Sequence, residues 1–477
     1  MPFSLQMLSE QDKSEIHSRS LEILEKVGIR FHSKKVCEIL QEAGCEIDWE
    51  KQSARIPRSL VEAGLKTLPS RFTLAAPDPQ WDIHVGDGTP WYSAGGMCPS
   101  FKDLETGKRR SATFADLVQC AHLIDALDEV DEWCPMVVPN DLPYEMAEVR
   151  VLETSLLCSR KHFLSGGTDP ASAPFLAELY DAFLGDRRKL KERPLWTYVQ
   201  SPISPLQNDG RTMELVLNWA DCQIPIILQF LPLSGATSPV TLEGTVLQEN
   251  ANFLGNMAFY QLVSPGWPII WGATAGTIDL RGGRWSGTTE SVLMGVALVE
   301  MAKTVYDVPA SVFGLSSQAH SADFQSGVEG VFTDSILSLA GADNIWGVSD
   351  LDGASYVDLD HVVLVTEVIR MMKRFRRGLA IDEDHLLQDV ILAEGFDANY
   401  MGHRTTAKRY RKEHLIPELF PAISHEDWEA RGMTDAEIAR ERLTKILAEH
   451  EPIEHPPEVL KEVERVVKAA ESALLHK

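Results

Sequence analysis

The chain has 477 residues, 44% of them apolar, and a formal charge of −25 from 70 acidic and 45 basic side chains. So acidic a chain repels phosphate backbones, which argues against a nucleic-acid partner, and no apolar run reaches the roughly 18 residues that a membrane helix needs. Seven cysteines (Cys37, Cys45, Cys98, Cys120, Cys134, Cys158 and Cys222) include no C-x-x-C or other close pair, the pattern of reduced thiols in a cytoplasmic protein.

The length suits two or three domains, or one α/β barrel with appendages. The N-terminus, MPFSLQMLSEQDKSE, has neither a basic start nor an apolar core, so no signal peptide is expected. From about residue 9 to 75 the pattern is helical: SEQDKSEIHSRSLEILEKVG offers Ser9 as an N-cap and Gly28 as a stop, and KKVCEILQEAG and SLVEAGLKTLP repeat the theme. Residues 1–80 are therefore expected to form a helical N-terminal region.

The rhythm then changes. Short apolar, β-branched or aromatic runs alternate with amphipathic helical segments. The predicted strands are WYSAG (91–95), WCPMVVP (133–139), HFLSG (162–166), LWTYVQ (195–200), PIILQFL (225–231), PIIWGAT (268–274), ASVFGL (310–315) and NIWGV (344–348). Each precedes a helical stretch, from FADLVQCAHLIDAL through TESVLMGVALVEMAKTVY to HVVLVTEVIRMMKRF. Eight such units over residues 81–375 predict a (β/α)8 TIM barrel. A doubly wound open sheet is the alternative, weakened by the lack of a G-x-G-x-x-G opening a helix after a strand. Residues 376–477 turn polar and helical again and predict a C-terminal helical extension packed on the barrel or on a neighbouring subunit.

In such a barrel the active site lies at the C-terminal ends of the strands. That rule selects Tyr92, Met97, Asn140, Asp141, Ser165, Asp169, Gln200, Gln229, Phe230, Trp271, Thr274, Phe313, Gln318, His320, Trp346, Asp350 and Asp352. The set is rich in aromatics and amides and poor in nucleophiles, and no H-x-H, H-E-x-x-H or C-x-x-C suggests a metal site. Asp141, Asp169 and Asp350 follow different strands and keep a two-carboxylate hydrolase open, although Asp141 and Asp169 are better suited to capping the next helices. Glu290 suits the first turn of its helix.

Trp271, Phe313 and Trp346 fall late in the sixth, seventh and eighth strands, and Tyr92 and Phe230 add two more rings. They are either barrel core or an aromatic box for a quaternary ammonium. The stretch FGLSSQAHSADFQSG, residues 313–327, gathers hydroxyls, an amide and an imidazole where a strand gives way to a helix. Gln318 and His320 there can address a carboxylate or hydroxyl without fixed charge. Arg281 and Arg284, in TIDLRGGRW, are the basic residues nearest a strand end and can fork onto a carboxylate.

Several segments together resemble the corrinoid-dependent trimethylamine methyltransferase family. They are YSAGGMCPSFKDLETGKRRSATFADLVQCAHLIDAL, PISPL (202–206), LPLSGATSPVTLEG (231–244), QLVSPGWPIIWGATAGTIDLRGG (261–283), LAGADNIWG (339–347) and GHRTTAKRY (402–410). The resemblance implies a (β/α)8 barrel that moves a methyl group from a methylated amine to a corrinoid cobalt, in one-carbon metabolism of the methanogenic or acetogenic type. Founding members carry pyrrolysine in the loop after strand seven, and that loop aligns within Gln318–His320. Every residue there is ordinary in this chain, so the resemblance implies a quaternary amine as methyl donor, as in relatives that demethylate glycine betaine. Proline betaine, carnitine and choline remain as alternatives.

On this reading Gln318 and His320 are the expected catalytic residues. Tyr92, Phe230, Trp271, Phe313, Trp346, Gln229, Asp352 and Arg281 are expected to bind substrate. The chain lacks the D-x-H-x-x-G of a corrinoid-carrying module. The acceptor is therefore expected as cob(I)alamin, leaving as methylcobalamin, on a separate small corrinoid protein, with no metal bound by this chain. The family and the helical extension together suggest a homo-oligomer. A hydrolase with two carboxylates and a silent betaine-binding barrel are the competing functions.

Overall fold

A computed structural model describes residues 5–475 apart from 168, 288 and 349. Eight parallel strands close into a barrel in sequence order. They are β1 (Trp91–Ala94), β2 (Glu132–Trp133), β3 (His162–Ser165), β4 (Trp196–Gln200), β5 (Ile226–Gln229), β6 (Ile269–Gly272), β7 (Ala310–Phe313) and β8 (Asn344–Val348). Each predicted strand is present. The second is much shorter than WCPMVVP suggests, because Pro135 has no N–H for the ladder.

The strands are followed by helices α1 (Phe114–Ala126), α2 (Tyr144–Cys158), α3 (Ala173–Leu184), α4 (Gly210–Leu217), α5 (Leu242–Val263), α6 (Thr289–Glu300), α7 (Phe324–Ala340) and α8 (Leu359–Arg376). Local chemistry sets their ends. Thr113 and Asp116 form a capping box at α1, Asp323 and Ser326 one at α7, and Gly341 at φ 105° stops α7. The segment read as one helix to Tyr306 is α-helical only to Glu300 and continues as a π-helix, Met301–Tyr306.

The strand register divides the side chains into two layers. Paired positions Phe313↔Trp346↔Ser93↔Glu132↔His162 point into the barrel, as do Gly272↔Ser311↔Asn344↔Trp91. Their chain neighbours point out against the helices and form the main core with α1–α8. The inner base is apolar: Trp91, Ile227 and Ile270 pack on Leu74, Ile83 and Val85. Those last three belong to an antiparallel hairpin, Phe72–Leu74 with Ile83–Val85, which plugs the N-terminal end of the barrel. Above the plug lies a polar belt. Glu132 accepts from Trp91 Nε1 (3.1 Å), Asn344 Nδ2 (3.2 Å) and the Ser93 hydroxyl, and Asn344 Oδ1 accepts from Ser311 (2.7 Å).

The N-terminal region contains helices Glu10–Lys26, Lys34–Glu42 and Arg58–Thr67, two of which pack on α5. It also holds a three-stranded sheet of Ile29–Arg30, Ser53–Arg55 and Glu46–Asp48, which its helical pattern did not announce. The C-terminal segment is helical. Asp435–Glu449 packs on α8 and α1, and Pro457–Leu475 on α2 and α3. All seven cysteines are free. No helix among the described residues is long and apolar enough to cross a membrane.

Candidate active site

Two small sheets flank the open, C-terminal end of the barrel. One joins Leu233–Ser234 to the hairpin Gly276–Asp279/Arg284–Ser286 that follows β6. The other joins Ser100–Lys102 and Arg109–Ser111, after β1, to Tyr356–Val357 and Asp350–Leu351, after β8. Asp352 ties the two together. Its Oδ2 accepts from Arg109 of the second sheet at 2.6 Å, its Oδ1 accepts from Arg284 of the first, and His320 Nδ1 stands 3.3 Å from the same oxygen. Burial alone would raise the Asp352 carboxyl, but the two guanidinium groups hold it below its ordinary value.

Of the expected aromatic residues, the structure brings two to the mouth. Phe313 and Trp346 point inward from adjacent strands and stack with ring centroids 4.8 Å apart at 22°, each half-buried. Tyr92, Phe230 and Trp271 do not join them. All three are fully buried in the outer core. Tyr92 OH reaches Asp334 at 3.4 Å, and Trp271 stacks on Phe253 of α5 at 4.2 Å while its Nε1 donates to Glu249 at 3.2 Å. The reason is parity: Trp271 lies between the inward positions 270 and 272, and a strand alternates its faces.

Gln229 points inward near the top of β5 and donates to Thr274 Oγ1 at 2.6 Å. Gln318 has its backbone N–H on Glu329 (2.7 Å) and its amide beside Gly353, while the His320 side chain is 69% exposed at the rim. Arg281 is placed away from the mouth. Its side chain is 92% exposed at the hairpin tip and pairs with Asp279 two residues back. Arg284, on the returning strand, is the arginine that turns toward the mouth.

The carboxylates sort themselves by partner. Asp141 Oδ1 accepts from the Phe114 N–H, capping α1 and not the helix that follows it, and Asp169 Oδ1 accepts from Ala171 N–H in a turn. Glu290 sits in the first turn of α6. Asp350 differs. It is fully buried at the mouth, its carboxyl fills the space over Gly95 where a Cβ would collide with it, and Ser316 Oγ lies 3.4 Å from Oδ2. Burial pushes it up to about 7, with the Ser316 hydroxyl, the Cys98 thiol and the Gly96 N–H pulling the other way. Deeper in the barrel burial also raises Glu132 to about 7 and lowers His162 to about 4. His162 is a neutral imidazole between Ala75 O (2.8 Å) and Thr197 Oγ1 (2.9 Å), so its 3.8 Å approach to Glu132 is not an ion pair.

Chemically, the mouth offers rings, amides, hydroxyls and a buried acid. The thiols beside it, Cys98 and Cys134, are driven well up by burial and are poor nucleophiles. Among the described residues no group of three or more His, Cys, Asp or Glu side chains could hold a metal. Sequence reasoning did not select Arg109 or Ser316 as site residues, although Arg284 was noted. Arg109 lies in an excursion beyond the strand ends, where strand-end counting does not reach. Ser316 stood in the polar run already singled out and is the one that the existing signal could have found.

The trimethylamine methyltransferase (MTTB) family model matches residues 2–473 of the chain. Among curated proteins, a trimethylamine methyltransferase MttB of Desulfitobacterium hafniense is 28% identical over 98% of this chain and 95% of its own length. A glycine betaine methyltransferase of the same species is 26% identical over 95% of this chain and 94% of its own. Among solved structures, the Methanosarcina barkeri monomethylamine methyltransferase MtmB superposes with a TM-score of 0.50 at 14% identity, covering 97% of this chain and 94% of that one. The last likeness concerns the barrel fold alone. With a barrel whose mouth carries a stacked ring pair, and a family match running nearly end to end, this chain belongs to the trimethylamine methyltransferase (MTTB) family.

Proposed function

We propose that this member moves a methyl group from a quaternary amine, glycine betaine first, to the Co(I) of a corrinoid borne by a separate small protein. The C–N bond breaks with its electron pair staying on nitrogen, which becomes the neutral amine of the departing dimethylglycinate, and the methyl carbon takes the electron pair of the metal. The observation that carries the reading is the stacked Phe313–Trp346 pair at the barrel mouth, beside a loop of ordinary residues, Ser316–His320. Ring faces hold a fixed cation diffusely, at on the order of 0.5–2 kcal/mol each. A quaternary ammonium needs neither a proton nor covalent activation to become a leaving group. Too strong a grip would oppose the reaction, since positive charge leaves the nitrogen in the transition state. A neutral Asp350 suits that requirement better than an ionised one.

The carboxylate end of a betaine has partners at hand. Arg109 and Arg284 share the single negative charge of Asp352, so the cluster is net positive, and Gln318 and His320 stand beside it. Orientation is then the main catalytic contribution, for which several of the roughly 7–11 kcal/mol available from proximity would be enough.

The corrinoid protein, the second substrate, would dock over the same face. Loops and helix starts following the strands expose Met97, Tyr144, Val240, Leu280 and Phe324, with Leu280 at 82% and Phe324 at 87%, the kind of apolar rim that partner surfaces cover. Residues 379–428 likewise expose Leu379, Ile381, Leu392, Phe396 and Met401, which supports a homo-oligomer. The unpaired cysteines support a cytoplasmic setting.

The test is anaerobic. The protein is mixed with titanium(III)-reduced cob(I)alamin and glycine betaine, and the visible spectrum is followed. Growth of the methylcob(III)alamin band with dimethylglycine formed in step is the expected result. If glycine betaine is inert, proline betaine, carnitine, choline and trimethylamine follow. No methyl transfer from any of the quaternary amines, or transfer from trimethylamine alone, overturns the proposal.

A further inference from the structure

Trp285 stands on the returning strand of the rim hairpin, paired with Ile278, and its indole is seated by Gly276 and Gly287 of its own β6–α6 connection and by Gly353 of the β8–α8 connection. A methyl group at Gly276, after β6, would collide with Nε1 and Cδ1. One at Gly287, ahead of α6, would lie 2.7 Å from Cζ2, and one at Gly353, after β8, 3.1 Å from Cε3. Gly353 also has a φ of +61°, which few other residues adopt readily. No hydrogen bond holds the ring: its buried Nε1 has no partner among the described residues. Shape holds it, and the neighbouring Arg284 ties the hairpin to Asp352. Trp285 and Phe313 both line a cavity of about 20 Å³, with Thr274 and Ser316 also on its wall and residues of α6 and α7 closing it from behind. Such a space admits one group the size of a water or a methyl.

Three positions in two connections without a side chain, all against one indole, are a costly arrangement for a surface hairpin. We infer that Trp285 is the third aromatic face of the methyl-donor site, sharing a cavity with Phe313, and the residue that limits the size of the ammonium group admitted there. This inference rests on the quaternary-amine reading above. A ring face attracts an N-methyl group through the charge spread over it, whereas a merely space-filling wall would treat a cation and its neutral isostere alike.

Calorimetry on the full chain separates the two cases. Glycine betaine and 3,3-dimethylbutanoate differ only in having nitrogen or carbon at the centre of the three methyl groups. Trp285→Leu should weaken glycine betaine binding by about 3- to 30-fold while leaving 3,3-dimethylbutanoate within about twofold, and Trp285→Phe should recover most of the loss. Gly287→Ala, which displaces the ring without removing it, should repeat the Trp285→Leu result and serves in its place if that variant does not fold. Equal weakening of both ligands overturns the cation-face role. If Phe313→Leu weakens glycine betaine but Trp285→Leu does not, the inference falls and the quaternary-amine reading stands. If the unmodified protein binds neither glycine betaine nor tetramethylammonium, both fall together.

Discussion

Asp350→Asn should stabilise the protein more at pH 8 than at pH 5. The buried carboxyl is raised from its ordinary 3.8 to about 7. An unfolded chain releases that proton near pH 4, whereas the folded chain keeps it until about pH 7. Stability is therefore lost as pH rises between those two values, by about 4 kcal/mol in all and by about 3 kcal/mol between pH 5 and pH 8. Asparagine keeps the shape and cannot ionise, so the variant escapes the loss. For a chain of 477 residues the unfolding entropy is about 1 kcal/mol/K, so each kcal/mol moves the midpoint by about 1 °C. Glu132 and Asp334 are also raised to about 7 and act with the same sign, but they are common to both proteins and cancel in the difference. The assay is thermal unfolding of both proteins followed by circular dichroism at pH 5 and pH 8. The gap between the midpoints should widen by about 3 °C toward pH 8. A gap that stays constant would mean that Asp350 ionises normally in the folded protein, and the reasoning from burial would be wrong.

Phe313→Leu and Trp346→Leu should each weaken quaternary-amine binding about 3- to 30-fold by calorimetry. Trp271→Phe should leave affinity alone and cost about 1–3 kcal/mol of stability in denaturant titrations, because buried Glu249 loses its donor; a comparable loss of affinity would put Trp271 back in the site. His320→Ala and Gln318→Ala should raise KM for a betaine or abolish turnover, and unchanged kinetics would remove both from the site. Lys161→Met should destabilise the fold by about 2–4 kcal/mol in urea titration, since Lys161 Nζ donates to the carbonyls of Ile124, Leu127 and Val130 at 2.6 Å each. A variant as stable as the parent would show that water replaces the ammonium there.

How much of the site could be read in advance follows from how each residue is positioned. Phe313 and Trp346 were legible as strand-end aromatics, and they lie on the inner face of neighbouring strands. Trp271, Tyr92 and Phe230 carried the same signal and went to the outer core. Counting from the inward Gly272 would have sorted Trp271, but sequence alone does not say which parity faces in when both faces of a strand are apolar. Arg281 and Arg284 sat three residues apart with equal claims, and a hairpin turn sent one to solvent and the other to Asp352.

The sequence by itself determined the eight strand–helix units, most of their caps and the absence of close cysteine pairs. Those properties depend on residues a few positions apart: a period of two or of 3.6, a proline, a serine or aspartate before a helix. Tertiary structure alone decided the plug hairpin, the rim sheets, the glycine seat of Trp285 and the meeting of Arg109 and Arg284 on Asp352. Arg109 is 243 residues from that carboxylate along the chain and Arg284 is 68. Nothing in their local sequence records the approach. Barrel closure brings β8 back beside β1, and only then do loops from opposite ends of the fold share one mouth.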